Sequence, residues 1–243
     1  MAKTNVSGQR SITPPEAPGT SGQLDVLARA ALAYVNPRQT VGLGSGRAAH
    51  AFIRALAHAG LDVRGVPTSS ASAELARSLR IPLVNLDEVD LLDADFDGAD
   101  EVDPQLDMIK GRGGAMVREK VVAAAARRRI FLVGDEKIVK RLGEHGNLPL
   151  EVVPFAKPLV LHQIANLGLS ARVRLDSRGQ QLISDNGNLV VDCHIGTIAD
   201  PSRLESDLRA IPGLVGTGLF LGLADIVLVV SKDGKITTLR RSQ

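Results

Sequence analysis

The feature that most constrains the fold of this chain is a repeated alternation of helical patterns with short apolar segments. Apolar side chains recur at spacings of three and four residues over 23–35 and again over 49–56, the period of a helix that buries one face. Short apolar or β-branched runs that fit strands lie at residues 40–41, 63–66, 91–96 and 130–133. This alternation predicts an α/β fold in which helices cover both faces of a mostly parallel sheet.

The pattern changes after about residue 146. A helical period over 158–169 precedes alternating strand-like segments at 173–175 and 189–195, with a hairpin-turn signal at 185–188 between them. Asp200 and Pro201 are the residue types of a helix N-cap and first helical position. The chain ends in a hairpin whose apolar first arm is expected to rejoin the main sheet.

These patterns divide the chain into three parts. The first part, 1–21, is polar and rich in turn-forming residues, and we predict a disordered tail without a secretory signal. We predict a main α/β catalytic domain over 22–145 and 217–243, and a small α+β lobe over 146–216. No apolar stretch has the length of a membrane span.

Composition excludes several classes of partner. Lys and Arg number 29 against 27 Asp and Glu, and the two signs are interspersed, which argues against a nucleic-acid partner. Aromatic residues make up 2% of the chain, too few for a base-stacking surface. The single cysteine, Cys193, cannot form an intramolecular disulfide, and the five histidines show no metal-ligand spacing. We therefore expect a cytoplasmic protein with no metal site.

A glycine-rich turn follows the first predicted strand. Residues 42–46 read Gly-Leu-Gly-Ser-Gly and precede a helix, so backbone N–H groups at the helix start can meet a phosphate. A dinucleotide loop and a plain tight turn are alternatives, although the third glycine of a dinucleotide motif is missing. Hydroxyls at 68–70 follow the next strand, where they fit either phosphate binding or helix capping.

An acidic segment follows the third predicted strand. Residues 97–103 carry four carboxylates, which are costly at the end of an apolar strand unless water, a cation or a sugar meets them. A solvated acidic loop is the simplest interpretation. It does not account for Lys110, which lies among glycines just beyond, or for Glu119 in the next helix.

Six segments, in this order, resemble type A ribose-5-phosphate isomerase. They are G-L-G-S-G at 42–46, P-T-S-S at 67–70, the run 97–120 with D-G-A-D-E-V-D and I-K-G-R-G-G-A-M-V-R-E-K, L-P-L-E-V-V-P-F-A at 148–156, S-D-N-G-N at 184–188 and G-L-F at 218–220. The resemblance covers the chain from about residue 23 to its end. It implies a Rossmann-like main domain, a homodimer or homotetramer, and interconversion of D-ribose 5-phosphate and D-ribulose 5-phosphate in the pentose phosphate pathway.

The resemblance also implies roles for individual residues. Glu119 matches the family's proton-shuttling glutamate, Asp97 and Asp100 match the pair that opens the furanose ring and holds sugar hydroxyls, and Lys110 matches the lysine that stabilises negative charge on oxygen. The family uses no metal and no cofactor. The residues expected to contact the substrate are Ser45, Gly46, Arg47, Ala48, Thr68, Ser69, Gly98, Ala99, Gly111, Arg112, Gly113 and Lys137.

Three positions depart from the family's pattern. Arg47 and Ala48 stand where the family usually has Ser and Thr, and we expect the Arg47 guanidinium to replace the lost donors by pairing with the phosphate. Arg112 stands where a glycine is commoner. Two other functions remain open from the residues alone: a non-catalytic sugar-phosphate sensor on the same scaffold, and a nucleotide-binding dehydrogenase that rests only on the glycine turn.

Overall fold

The computed structural model describes residues 21–241, so that the predicted tail, except for Ser21, lies outside the described residues. The helices are α1 (Ser21–Leu32), α2 (Gly46–Ala59), α3 (Ser70–Ser78), α4 (Met116–Ala124), α5 (Lys157–Asn166) and α6 (Pro201–Arg209). The strands are β1 (Thr40–Leu43), β2 (Arg64–Pro67), β3 (Ala94–Gly98), β4 (Glu101–Val102), β5 (Met108–Ile109), β6 (Arg129–Gly134), β7 (Asn147–Val152), β8 (Ser170–Val173), β9 (Leu189–His194), β10 (Leu214–Thr217), β11 (Leu219–Phe220), β12 (Ile226–Val230) and β13 (Ile236–Arg240).

The largest sheet has six strands in the order β13-β12-β6-β3-β1-β2. Every neighbouring pair is parallel except β12 with β13, which form the C-terminal hairpin. Both the mostly parallel sheet and the return of the C-terminal hairpin to it are therefore confirmed. In such a sheet the carboxyl ends of the parallel strands share one edge, and ligands bind there.

Helices cover both faces of this sheet, as the sequence predicts. On one face α1 and α2 pack over alternate strand residues, and the rings of Phe52 and Phe96 stack at 4.2 Å between centroids. On the other face α4 contributes Met116 and Ala123 to a cluster with Phe131 of β6. Because strand side chains alternate between faces, the fold confirms an α/β sandwich of helices around a sheet.

Two smaller antiparallel sheets complete the fold. One has the order β10-β7-β9-β8, and the other has the order β11-β5-β4. Residues 189–195 were expected to bury only alternate side chains, but Val190 is buried as well, because the second face of this sheet packs against the cluster around α4. The proposed boundary between main domain and small lobe stays a prediction.

Local sequence sets several helix ends. Asp200 caps α6 by accepting a hydrogen bond from the Arg203 backbone N–H, as predicted. The predicted helix over 158–169 begins slightly earlier and ends at Asn166. Across residues 21–241, no helix combines the length and the apolar character needed to cross a lipid bilayer.

Candidate active site

Residues from four elements converge at the carboxyl edge of the six-stranded sheet. Asp97 lies near the end of β3, and Ser45 follows β1 on the neighbouring strand. Lys110 follows β5 directly, and Glu119 lies in the first turns of α4. The sequence separates these residues widely, and the parallel topology brings them together.

A buried lysine joins two buried carboxylates. Lys110 Nζ lies 2.9 Å from Asp97 Oδ2 and 3.6 Å from Glu119 Oε2. The side chains of Lys110, Asp97 and Glu119 are only 3%, 0% and 5% exposed. Separating an ion pair that is buried this deeply would leave an uncompensated charge in the protein interior. The contact between these side chains is therefore maintained in the folded protein.

The backbone fixes the position of Asp97. Its Oδ1 accepts hydrogen bonds from the backbone N–H groups of Ser45 at 3.0 Å and Gly98 at 2.7 Å. Gly44 makes this approach possible, because a Cβ there would lie 2.3 Å from the Asp97 carboxyl carbon. The glycine turn is therefore needed for close packing of β1 against the Asp97 carboxylate.

Lys110 is held from several sides. Its ammonium donates a hydrogen bond to the Gly98 carbonyl at 2.5 Å. The same nitrogen lies 5.6 Å from the ring centroid of Phe131 and 5.4 Å from that of Phe220, within range of a cation–π interaction. This environment leaves the lysine few alternative orientations.

Burial and charge shift the pKa values of this cluster. Burial first, and then the charge of Asp97, raises the pKa of Glu119 to about 8, while Lys110 acts in the opposite direction. Burial also raises the pKa of Asp97, against the lowering effects of Lys110 and the N–H donors of Gly98 and Ser45. Burial alone would lower the pKa of Lys110, but Asp97 and Glu119 raise it above its usual value. The lysine therefore stays charged while Glu119 exchanges a proton near neutral pH.

Asp100 lies at the more open side of the cluster. Its carboxylate accepts a hydrogen bond from the Arg112 backbone N–H at 3.1 Å, and its side chain is 16% exposed. Arg174 donates to the carbonyl of Arg112 and forms an ion pair with Asp192, which ties this loop to β9. Gly111 has φ 104°, whereas Arg112 is not among the residues with positive φ, so the loop accommodates an arginine where a glycine is commoner.

Hydroxyl groups line the neighbouring strand ends. Ser45 Oγ and Thr68 Oγ1 are 2.7 Å apart, and Thr68 also donates to the Leu43 carbonyl. Ser69 is the N-cap of α3, where its side chain accepts a hydrogen bond from the Ser72 N–H. The capping interpretation is thus correct for Ser69.

The remaining predicted contact residues surround this edge. Gly46, Arg47 and Ala48 form the first turn of α2, and the Arg47 side chain is exposed. Ala48 Cβ lies 3.8 Å from the position of a Cβ on Gly98, which puts the first turn of α2 beside the end of β3. Lys137 is half-buried in a short 3-10 helix, Asp135–Lys137, immediately after β6.

Two of the four predicted acidic residues point elsewhere. Glu101 accepts hydrogen bonds from the backbone N–H groups of Gly143 and His145, and it anchors that loop. Asp103 accepts the N–H groups of Gln105 and Asp107 within its own turn. Only Asp97 and Asp100 of this segment join the lysine cluster.

Several site features were not singled out from the sequence. In the sequence, Phe131 and Phe220, which lie beside the lysine, cannot be told from ordinary core residues. The Arg174–Asp192 ion pair joins residues that no local sequence motif connects. Asp95 is completely buried in β3. The sequence feature that could have indicated it is a second acidic residue within an apolar strand. Within residues 21–241, no group of three or more His, Cys, Asp or Glu side chains is arranged to hold a metal ion.

Comparisons with known proteins show the family of this chain. The model of the family described as ribose 5-phosphate isomerase A (phosphoriboisomerase A) matches residues 64–234. A ribose-5-phosphate isomerase A of Roseiflexus castenholzii is 48% identical over 212 residues, or 85% of this chain and 91% of the relative. The structure of ribose 5-phosphate isomerase A from Methanocaldococcus jannaschii is 39% identical with a TM-score of 0.85, covering 91% of this chain and all of the other.

A ligand complex is also among the similar structures. A D-ribose-5-phosphate isomerase solved in complex with phospho-erythronic acid is 35% identical, with a TM-score of 0.86 over 90% of this chain and 98% of that one. With this identity and this coverage, the chain belongs to the ribose 5-phosphate isomerase A family.

Proposed function

We propose that this chain is an aldose–ketose isomerase that interconverts D-ribose 5-phosphate and D-ribulose 5-phosphate through an enediolate. The observation that carries the proposal is the buried cluster in which Lys110 Nζ lies 2.9 Å from Asp97 and 3.6 Å from Glu119. The reaction needs a base beside a fixed positive charge, and this cluster supplies both. A sugar-phosphate sensor without catalysis would not require that arrangement.

Glu119 is the proposed base. In the open-chain aldose it removes the proton from C2, and it returns that proton to C1, while a hydroxyl proton passes from O2 to O1. A carboxylate whose pKa is raised to about 8 is a stronger base than an ordinary glutamate. A positioned base of this kind contributes roughly a hundred- to ten-thousandfold in rate.

Lys110 is the proposed electrostatic partner of the enediolate oxygens. Its ammonium is buried and held by Asp97, the Gly98 carbonyl and two aromatic rings. A donor fixed in this way needs no reorganisation when negative charge develops on oxygen, which contributes about 3–4 kcal/mol.

Asp100 and Asp97 are proposed to act on the sugar hydroxyls before the proton transfer. Asp97 is completely buried, whereas the Asp100 side chain is 16% exposed. Asp100 is therefore better placed to meet the ring form of the sugar and to promote ring opening. Gly98, Ala99, Gly111, Arg112 and Gly113 form the adjoining backbone and are proposed to line the sugar.

The phosphate is proposed to bind at the start of α2. Gly46, Arg47 and Ala48 form its first turn, and the N-cap residue Ser45 makes no side-chain capping bond. A helix N-terminus of this kind favours an anion. Thr68 and Ser69 follow the adjoining strand β2 and complete the proposed phosphate-side contacts. Lys137 follows β6, on the other side of β3, and is proposed as a further contact to the substrate.

Phospho-erythronic acid, bound by a similar structure, supports this assignment. The molecule has a planar carboxylate at one end and a phosphate at the other, so it resembles an enediolate attached to a phosphorylated sugar chain. A protein that recognises both ends needs an anion site and a charge-stabilising cluster on one edge of its sheet.

The oligomeric state and the location extend the proposal. We infer a homodimer or homotetramer, supported by Phe155, which is 96% exposed in the single chain and is an apolar side chain that an assembly would cover. Sedimentation at several protein concentrations checks this, and a monomer at every concentration would contradict it. A cytoplasmic location is supported by the buried, unpaired Cys193.

The isomerase activity is tested by following ribulose 5-phosphate formation from ribose 5-phosphate with a chelator present. We expect the wild-type protein to be active and Glu119→Gln to lose about a hundredfold or more in kcat. Glu74→Gln, an exposed glutamate on α3, is the matched control and should retain activity. An inactive wild-type protein, or an active Glu119→Gln variant, would overturn the proposal.

A further inference from the structure

Asp95 is a buried carboxyl that the reaction above leaves without a role. It lies in β3 two residues before Asp97, and its relative exposure is 0%. Neither of its carboxyl oxygens has a hydrogen-bond partner among residues 21–241. Burying an ionised carboxylate in this way is costly, so its presence inside the sheet calls for a physical reason.

The fold places Asp95 in a row with the catalytic carboxyls. Asp95 and Asp97 point to the same face of β3, since strand side chains alternate. If Gly42 carried a Cβ atom, that atom would lie 2.3 Å from Asp95 Oδ1 and 2.6 Å from Val122 Cγ1 of α4. Val122 is three residues after Glu119, on the same side of that helix. The three carboxyls thus lie between the sheet and α4.

Two glycines of β1 make room for this row. Gly44 lies against Asp97, because a Cβ atom on Gly44 would be 2.3 Å from the Asp97 carboxyl carbon. Gly42 lies against Asp95 in the same manner. Any larger residue at either position would collide with a carboxyl group. The pocket behind Asp97 is therefore shaped to hold a second carboxyl.

The charges around Asp95 do not balance if every acid is ionised. Asp97 faces it from its own strand, Glu119 from α4, Lys110 from the loop after β5 and Arg129 from β6, whereas β1 presents Gly42. Arg129 already forms a 2.7 Å ion pair with Asp225. Lys110 is then the cation that acts on all three carboxyls, and retaining a proton relieves the repulsion among them.

We propose that Asp95 is a positioning residue that holds a proton in the resting enzyme and, by sharing its titration with Glu119, sets the pH at which Glu119 becomes an active base. This inference rests on the proposed role of Glu119. Burial first and Asp97 second raise the pKa of Asp95 to about 8, and the same two causes raise the pKa of Glu119 to about 8. Asp95 is itself among the groups that raise the pKa of Glu119. Two acids with similar pKa values and mutual repulsion release their protons as a pair.

The test is the pH dependence of kcat/KM in Asp95→Asn. Asparagine keeps the shape of the side chain but cannot ionise, so Glu119 no longer shares its titration with a second acid, and the acid limb of the profile should move to lower pH by on the order of one unit. Asp93→Asn is the matched control: Asp93 precedes the same strand, and its carboxylate accepts the Thr40 N–H at 2.8 Å. Its profile should coincide with that of the wild type.

An Asp95→Asn profile that coincides with the wild type would overturn the inference, because a purely structural role leaves the limb unmoved. If Asp95→Asn does not fold, carboxyl-labelled aspartate in the wild-type protein gives the second readout by carbon NMR. We expect one buried aspartate to remain protonated at neutral pH, and complete ionisation of all aspartates would refute its role. An inactive wild-type protein would instead refute the isomerase proposal and leave this NMR result interpretable.

Discussion

At the scale of single residues, the site depends on the way burial redistributes protons. Lys110 stays charged because two carboxylates flank it, whereas the pKa of Glu119 rises to about 8 because burial penalises its charged form. The same sheet edge thus provides a permanent cation and a base that exchanges its proton near neutral pH. Enediolate chemistry needs both.

The family resemblance in the sequence predicted the candidate catalytic residues. Asp97, Asp100, Lys110 and Glu119 were predicted, and the structure brings them to one edge of the sheet. The sequence did not separate the two roles in the acidic segment, since Glu101 and Asp103 have the same chemistry as their neighbours. Their backbone hydrogen-bond partners, which differ, exist only in the folded chain.

Arg47 gives a prediction at this scale. If its guanidinium pairs with the substrate phosphate, Arg47→Ala should raise KM about ten- to a hundredfold, the worth of one charged hydrogen bond. The value of kcat should change little, because the phosphate lies away from the reacting carbons. Steady-state kinetics measure both constants.

Arg54→Ala is the control for Arg47→Ala, since Arg54 is also exposed on α2 but lies two turns further from the helix start. It should leave KM unchanged. An unchanged KM in Arg47→Ala would show that the arginine points away from the phosphate.

At the scale of elements, the close approach of β1 to β3 determines the geometry of the site. The period of 3.6 residues predicted the main helices well, because each buries one apolar face, and short apolar runs predicted the strands of the main sheet, because these strands are buried on both faces. The short strands β4, β5, β10 and β11 were not predicted. They have between two and four residues each, too few for a period to be visible, and their pairing is decided by distant segments.

Gly44→Ala tests the approach of β1 to β3. A Cβ at this position would lie 2.3 Å from the Asp97 carboxyl carbon and 2.6 Å from its Cα, so the strand or the carboxylate must shift. We expect kcat to fall by about a hundredfold, because a displacement near 1 Å in a catalytic group has that effect. Activity assays with a circular dichroism check of folding measure this.

Gly196→Ala is the matched control, because a Cβ on Gly196 meets nothing within 4 Å. It should retain full activity. Full activity in Gly44→Ala would show that the position of Asp97 is not critical.

At the scale of the whole molecule, the site carries a stability penalty that depends on pH. A group whose pKa is higher in the folded than in the unfolded chain binds more protons when folded, so the free energy of unfolding falls as pH rises between the two values. For Glu119 that interval runs from about 4.3, the usual value, to about 8. The active site is therefore less favourable for folding at alkaline pH than at acidic pH.

Glu119→Gln removes this penalty. Compared with the wild type, its free energy of unfolding should be higher above pH 8 by on the order of a few kcal/mol, and the difference should shrink as pH falls towards 5. Denaturant unfolding at a series of pH values measures the difference. A difference that is constant with pH would contradict the raised pKa of Glu119.

The central claim is that one sheet edge grips both ends of a sugar phosphate, and a crystal structure of this protein with phospho-erythronic acid tests it most directly. We expect the carboxylate of the ligand within hydrogen-bond distance of Lys110 and beside Glu119, and its phosphate at the first turn of α2 near Ser45 and Arg47. A ligand whose carboxylate lies away from Glu119, or whose phosphate lies away from α2, would contradict the account.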